Sequence, residues 1–331
     1  MNNEKKFKLY DKYLYIDGEE YKIEKKLGAG STGSVFLIVN VVDNIKTYVM
    51  KLSNRKCEND LCIELNNIVN NLEPTDIKSY PLYYGFTEYR NHAIIIYPFL
   101  GEYNLDNYKL LFNLTLEEKL NIIKNLCEQL NILILKNLIH GDFKPGNICI
   151  DTHHKLSIID FGLLVNLKTD DIYINSTMYS MSPEALLTHN KYKNLIVPDE
   201  KIDFSKHDYF GMFSIILTLC SKQNAWHIFY KYFDSIHITK IKNKTFVYLW
   251  YKLNYKDKSE LTNLTLLNLI NYIEEKYKYN QKKFPDFEEF FDFLSSYLYF
   301  DNEIIKNLLK EFCVFEPNKR KTLNDIISLY L

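Results

Sequence analysis

The sequence predicts an α+β chain with a small antiparallel strand-rich lobe at the N-terminus and a larger, mainly helical lobe after it. Three observations carry this. Between Tyr21 and Pro98, short runs rich in β-branched and aromatic residues alternate with turn signals. After Gly101 the apolar residues recur at helical spacing instead. The 331 residues, 47% hydrophobic and 25% charged, suffice for about two cores at roughly 150 residues each.

In chain order, strands are expected over 21–27, 34–40 and 47–52, parted by Gly28-x-Gly30 and by Asp43-Asn44. Their short connections favour an antiparallel meander. A helix over 60–72 follows from the spacing of Leu61, Leu65, Ile68 and Leu72, then strands over 82–87 and 93–98. Residues 1–20 read as an N-terminal extension, and the seam between lobes falls at Pro98-Phe99-Leu100-Gly101. Thr115 and Glu118 form a capping box that opens a long helix to about Asn137, with Leu120, Ile123, Leu130 and Ile134 on one face. A strongly apolar helix is expected over 208–221, and further helices over 286–298, 301–313 and 323–330. Thr322 with Asp325 caps the last of these.

Charge and composition exclude several classes of function. Lys+Arg 41 against Asp+Glu 42 leaves a net charge of -1, which argues against a nucleic-acid-binding surface. No signal-peptide pattern follows Met1, and the longest apolar stretch, 213–220, is too short for a bilayer, so no membrane role is expected. Cys57 and Cys62 are the only close cysteine pair and no second pair answers them, so neither zinc nor a disulfide framework is expected. A soluble protein of a reducing, cytoplasmic compartment is the expectation. The Asn/Lys/Ile/Tyr bias suits an AT-rich genome of a large DNA virus, with the host cell then as the location, or of a protozoan. Only Arg55, Arg90 and Arg320 are arginines, and glycines number 10, so glycine motifs are hard to obtain by chance.

Four segments carry chemistry. Leu27-Gly28-Ala29-Gly30-Ser31-Thr32-Gly33-Ser34-Val35 links two expected strands, and its glycines let backbone amides approach phosphates. A dinucleotide turn would lead into a helix. Here Val35 to Val39 continues as strand, which makes the loop a hairpin lid. Lys51 ends the third strand, with Glu64 on the next helix as ion-pair partner and Glu58 as a competitor for that role. His140-Gly141-Asp142-Phe143-Lys144-Pro145-Gly146-Asn147 offers a carboxylate for a hydroxyl, a cation for migrating phosphate charge and an oxygen ligand for Mg²⁺. Asp160-Phe161-Gly162 ends a strand with a second hard carboxylate.

At these residues the sequence resembles the eukaryotic-type Ser/Thr protein kinase family, over 21–330. Ser182-Pro183-Glu184, Asp208 at the head of the apolar helix, and Glu316-Pro317-Asn318-Lys319-Arg320 extend the resemblance, with Arg320 placed to pair with Glu184. The resemblance implies a bilobal protein-kinase-like fold in 21–331, with an N-lobe over 21–98 carrying one main helix, a hinge at 97–101 and a C-lobe over 101–331. It implies ATP between the lobes, adenine under Val35 and against Tyr97-Phe99, and Ile96 guarding the back of the pocket. Leu27 to Ser34 would cover the phosphates, and Lys51, positioned by Glu64, would contact them. Asp160 and Asn147 would hold Mg²⁺, with Mn²⁺ as an alternative. Asp142 would act on the substrate hydroxyl, Lys144 would stabilise the γ-phosphoryl group, and Thr177 would bond Asp142. Lys144 and Thr177 point to Ser/Thr of a protein substrate as acceptor.

Four departures stand out. Gly141 occupies the family's usual arginine position, which implies activity without activation-loop phosphorylation. Ser176 and Ser180 stand where Gly and Tyr are common. The stretch 185–207 is long and suggests an insertion around 189–200. The interval from Lys51 to Glu64 is short. Two rival readings are a small-molecule kinase of the aminoglycoside or choline type, which His-Gly-Asp and Pro-Gly-Asn at 140–147 resemble, and a catalytically inactive kinase-like binding module.

Overall fold

The computed structural model describes residues 7–10, 12–30, 32–54, 62–63, 65, 67, 85–89, 92–101, 103–107, 111, 113–151, 156–168, 174, 176–177, 180–182, 184–185, 203–221, 298, 302–314 and 317–331. They fall into two compact units. The first comprises Met1–Asn104 with Ile148–Gly162, the second Leu105–Asn147 with Leu163–Leu331.

The first unit is built on a seven-stranded antiparallel sheet. Its strands are β1 (Phe7–Tyr10), β2 (Tyr13–Ile16), β3 (Glu19–Gly30), β4 (Gly33–Asn40), β5 (Thr47–Ser53), β6 (Gly85–Tyr89) and β7 (His92–Pro98). They lie in the order β1-β2-β3-β4-β5-β7-β6, a meander apart from the last exchange. Asp17-Gly18 joins β2 to β3 with both residues at positive φ (53° and 88°), the turn whose twist suits a two-residue hairpin. Between β4 and β5 the Asn40 side-chain oxygen accepts from the amides of Val42 (2.9 Å) and Asp43 (2.8 Å), which fixes the turn from within. Thus residues 7–16, read from sequence only as an extension, add two strands to the sheet.

Alternation along these strands buries one face in a cluster of Leu14, Ile16, Tyr21, Ile38, Met50, Ile94 and Ile96. Tyr21 also donates its hydroxyl to Glu19 at 2.6 Å, and burial pushes that hydroxyl's pKa up to about 12. Of the helix expected over 60–72, Cys62, Ile63, Leu65 and Asn67 are described and helical, with Cys62 and Leu65 buried. A second, small sheet completes the unit: β8 (Tyr103–Asn104) pairs with β10 (Ile148–Ile150), which pairs with β11 (Leu156–Ile158).

The second unit is mainly helical. Helix α1 (Leu116–Leu135) opens with the expected capping box: the Thr115 amide donates to Glu118 (2.7 Å) and the Glu118 amide to the Thr115 hydroxyl (3.2 Å). It stops at Lys136, and Asn137 turns the chain in the left-handed region (φ 59°). The chain then runs into β9 (Leu138–Ile139), which pairs with β12 (Val165–Asn166). Helix α2 (Tyr209–Cys220) is buried along its whole length, as a sequence apolar on all sides requires. Each fully buried Phe, Ile or Leu there contributes about 1.5–3 kcal/mol of transfer free energy.

Helix α3 (Glu303–Phe312) is capped by Asn302, whose side chain accepts from the Ile304 amide at 2.8 Å. Helix α4 (Leu323–Tyr330) carries the Thr322/Asp325 capping box expected from sequence. Tyr209 of α2 meets Phe312 of α3 with ring centroids 5.4 Å apart. Most of the expected helix over 286–298 and the proposed insertion around 189–200 lie outside the described residues.

Candidate active site

In the first unit the glycine-rich segment is a β3–β4 hairpin, with Gly28 facing Val35, Ala29 facing Ser34 and Gly30 facing Gly33. It is a strand-to-strand turn, as expected, and not a strand-to-helix one. Nothing lies within 4 Å of where a Cβ would sit on Gly28 or Gly30, so local packing does not demand glycine there. Absence of side chains does leave the backbone amides approachable from one side. Leu27 and Ala29 are exposed, and Thr32 and Ser34 are half-buried, while Ser31 lies outside the described residues.

Lys51, 4% exposed, reaches Asp160 with Nζ 2.6 Å from Oδ1. Asp160 itself holds a left-handed backbone (φ 60°), which costs a non-glycine residue on the order of 1–3 kcal/mol. The residue is fixed by what flanks it: β11 on one side and a tight turn over Phe161–Leu163, with Phe161 fully buried, on the other. Glu64, the expected partner of Lys51, and Glu58 lie outside the described residues.

Strand register corrects the position of Ile96. Directly paired residues of antiparallel strands share a face. Lys51 pairs with Val35 and Ile95, whereas Ile96 pairs with Met50, which pairs with Phe36. Ile96 is therefore on the face opposite Lys51, in the apolar cluster of the sheet. Ile95 and Tyr97 share the Lys51 face. A one-residue error in a strand turns a side chain to the other side, and this is such an error.

In the second unit the loop from His140 to Asn147 gathers four of the expected residues. The Asp142 carboxylate accepts from the Thr177 hydroxyl (2.6 Å) and amide (3.0 Å) at Oδ1, and from Lys144 Nζ (2.6 Å) and Asn147 Nδ2 (3.3 Å) at Oδ2. Lys144 Nζ also donates to the Thr177 hydroxyl at 2.7 Å. Asn147 Nδ2 donates in addition to the Asp142 carbonyl oxygen (2.8 Å), so this amide is oriented by its nitrogen and its oxygen is turned away from Asp142. Ser180 closes the turn after Thr177, its hydroxyl donating to the Thr177 carbonyl at 3.0 Å and lying 3.4 Å from the Ser176 hydroxyl.

Asp208 supports this loop from below. It precedes α2 but does not cap it; its carboxylate accepts from the amides of His140 (2.6 Å) and Gly141 (3.1 Å). Burial pushes its carboxyl above the ordinary range, and His140 with the two amides pulls it back. Two glycines make the approach feasible. Gly141 has φ 79°, and a Cβ there would fall 2.2 Å from the Leu163 carbonyl oxygen. A Cβ on Gly211 of α2 would fall 1.9 Å from the Phe143 carbonyl oxygen.

Arg320 and Glu184, 2% and 3% exposed, form a two-pronged pair at 2.6 and 2.8 Å. The remaining guanidinium donors reach the carbonyls of Val314 (2.7 Å) and Lys206 (2.9 Å), and the group stacks over Phe210 at 5.0 Å. This is the planar fork that a lysine cannot supply. Pro183 and Glu316 lie outside the described residues.

The sequence reading did not single out His207. Its Nδ1 is 2.7 Å from the Ser182 hydroxyl, which also receives the Ala185 amide, and burial followed by the Arg320 charge lowers its pKa to about 3. The only sequence signal was a histidine directly before an expected buried helix. The expected residues thus form four local groups: Lys51 with Asp160 in the first unit, and Asp142–Lys144–Asn147–Thr177, Asp208 with the loop amides, and Glu184–Arg320 in the second.

The oxygen donors fit a hard divalent cation. Mg²⁺ takes one or two carboxylates and fills its remaining positions with substrate phosphates and water. Asp160 of the first unit, about one-third exposed at its side chain (34%), and Asn147 of the second, whose amide nitrogen is the atom bonded to Asp142, each carry an oxygen of that kind. Among the described residues no group of three or more His, Cys, Asp and Glu could hold a metal without such help, and no helix is long and apolar enough to cross a membrane.

The family model described as "Protein kinase domain" matches residues 21–330. A Fowlpox virus protein named "Probable serine/threonine-protein kinase" is 27% identical over 163 residues, 45% of this chain and 55% of that protein. A "Probable leucine-rich repeat receptor-like protein kinase" of Arabidopsis thaliana is 31% identical over 96 residues, 26% of this chain and 8% of that protein. The matched stretch spans about half the length of the viral relative and far less of the plant one. With a match that runs from β3 to the end of α4, over the strand-rich unit and the helical one alike, the chain belongs to the protein kinase family and has its fold.

Proposed function

We propose that the chain transfers the γ-phosphoryl group of ATP to Ser or Thr hydroxyls of protein substrates, with Mg²⁺ as the metal. The observation that carries this reading is the Asp142 carboxylate, held by Thr177, Lys144 and Asn147 at 2.6–3.3 Å. The Thr177 and Lys144 bonds leave that carboxylate oriented to accept one further hydrogen bond from an incoming hydroxyl.

Asp142 takes the hydroxyl proton as the acceptor oxygen bonds to the γ-phosphorus and the bond from that phosphorus to the β–γ bridging oxygen breaks. The electron pair of the broken bond leaves with ADP. Lys144, whose ammonium already sits beside Asp142, meets the negative charge carried by the phosphoryl oxygens in transit. Lys51 offers a cation to the nucleotide phosphates from a buried stem, and the bare backbone of Gly28 and Gly30 offers amides. Asp160 and Asn147 are the residues that would hold Mg²⁺, which when bound neutralises charge on the β- and γ-phosphates. A protein acceptor is favoured over a small alcohol by Thr177, which ties the segment leading to Glu184 directly to Asp142.

The test is a phosphotransfer assay with Mg-ATP on basic and acidic proteins and on a panel of small alcohols. Wild type, Asp142→Asn and Lys51→Met are compared. Transfer to protein Ser/Thr, reduced about a thousandfold in either variant and abolished by chelation, is expected. Mg-ATP binding without turnover, transfer only to small alcohols, or an Asp142→Asn variant as active as wild type would each overturn the reading.

A further inference from the structure

We propose that His207 is a positioning residue for the protein acceptor: through Ser182 it ties the stretch between Thr177 and Glu184 to the loop that carries Asp142, and so sets how well the acceptor binds. This inference rests on the protein Ser/Thr kinase reading above and adds a residue to that same site.

Three consecutive residues at the head of α2 each hold a different part of the second unit. The Lys206 carbonyl accepts from Arg320 at 2.9 Å, and Arg320 in turn holds Glu184. The His207 ring meets the Ser182 hydroxyl at 2.7 Å. The Asp208 carboxylate takes the amides of His140 and Gly141. His207 answers to both sides at once. Burial and then the Arg320 charge lower its pKa, and the Gly141 backbone pulls it up again as a hydrogen-bond acceptor does.

The donors fix the direction of these bonds. Ser182 Oγ already receives the Ala185 amide at 3.3 Å, so its own hydrogen goes to His207 Nδ1. A neutral imidazole that accepts at Nδ1 carries its proton at Nε2. That atom is buried and makes no hydrogen bond of normal geometry among the described residues. A buried N–H costs free energy until an acceptor closes on it, and the Gly141 backbone, directly before Asp142, is the group that acts on this ring. Asp208 keeps its two amide bonds whatever stands at 207, so the loop itself stays supported. What a change at 207 releases is the stretch whose Thr177 hydroxyl and amide meet Asp142. Lys51 and the glycine hairpin, which answer to the nucleotide, belong to the first unit.

The experiment uses the full chain with Mg-ATP and casein or histone, whichever the wild type phosphorylates faster. KM for the protein and KM for ATP are measured for wild type, Ser182→Ala, His207→Leu, His207→Asn and the double variant Ser182→Ala with His207→Leu. The protein KM is expected to rise about tenfold in Ser182→Ala and in His207→Leu, with the ATP KM within about twofold of wild type. The double variant should be no worse than the poorer single one, because both remove the same bond. His207→Asn keeps an oxygen near the place of Nδ1 to accept from Ser182, so its protein KM should rise only about threefold. A fall in kcat with both KM values unchanged means less folded protein and no positioning, and it overturns the inference. Additive effects in the double variant overturn it too, as does His207→Asn behaving like His207→Leu, or a Ser182→Ala chain that fails to fold. If His207→Leu does not fold, Ser182→Ala and His207→Asn decide on the same comparison. If wild type phosphorylates neither protein, the kinase reading itself fails; if it does and the protein KM is the same in every variant, only the role of His207 fails.

Discussion

Replacing Asp208 by asparagine separates the support of the catalytic loop from its chemistry. The carboxylate receives two consecutive backbone amides, His140 at 2.6 Å and Gly141 at 3.1 Å, in a buried site. Asparagine keeps the shape, but only its oxygen can accept. Its NH₂ then faces the second amide, donor against donor. One charge-assisted hydrogen bond is lost, about 1.5–3 kcal/mol, and one buried amide is left unsatisfied, about 1–3 kcal/mol more. Removing a carboxylate whose burial is unfavourable returns part of this, so a net cost near ~3 kcal/mol follows. If that cost appears as displacement of the loop that carries Asp142, kcat falls about a hundredfold. Steady-state kinetics with saturating ATP, alongside a thermal melt, measure both effects. An Asp208→Asn protein with kcat within about threefold of wild type and an unchanged melt would refute the argument that these two bonds position the loop.

Four further outcomes are expected. His207 is buried neutral beside Arg320 and His140, with a folded pKa of about 3 against 6.5, so between those values the unfolded chain binds the proton and the folded one does not. Its contribution is present above pH 6.5 and is lost as pH falls toward 3, with a slope of up to about 1.4 kcal/mol per pH unit; His207→Gln should remove that slope in urea titrations repeated across pH. Glu184→Gln leaves the Arg320 guanidinium buried without its counter-charge and should cost about 3–5 kcal/mol by urea denaturation, and Arg320→Lys should fail to substitute for the fork. Gly141→Ala must move the Leu163 carbonyl and hold a left-handed backbone, so at least ~2 kcal/mol and most activity should be lost. Because position 141 admits no long cation, activity should survive Thr169→Ala, Tyr173→Phe and Ser176→Ala. Loss at one of these, rescued by an acidic residue, would count against it, whereas loss at Thr177→Ala is expected from its bonds to Asp142.

What the sequence disclosed was local or strongly patterned. The capping boxes at Thr115 and Thr322 need only neighbours three residues away, and both formed. The all-apolar 208–221 segment had no solvent-facing side and became the fully buried α2. The motifs of the candidate site were legible because each combines a local geometry with a charge, as in Gly141 beside Asp142. What stayed hidden depends on partners far along the chain. The strands at 7–16 pair with each other and join the sheet only through β2 on β3, so their own residues look like an extension. Ile96 and Ile95 are chemically alike, and only the register with Met50 and Lys51 tells which faces which side. Asp106 reaches Gly146, and His207 reaches Ser182, across intervals of 40 and 25 residues that no periodicity spans.

The chain passes from one compact unit to the other three times, after Asn104, after Asn147 and after Gly162. Neither unit is therefore a continuous piece of polypeptide. During synthesis the first unit stays unfinished until residue 162 has left the ribosome, since β10, β11 and Asp160 arrive after α1 has been made. A truncation at residue 104 discards the partner of Lys51, and an expression fragment starting at 105 carries an orphaned pair of strands into its own fold. Domain dissection by simple cutting is closed to this protein; its halves must be made together, in one reading of the message.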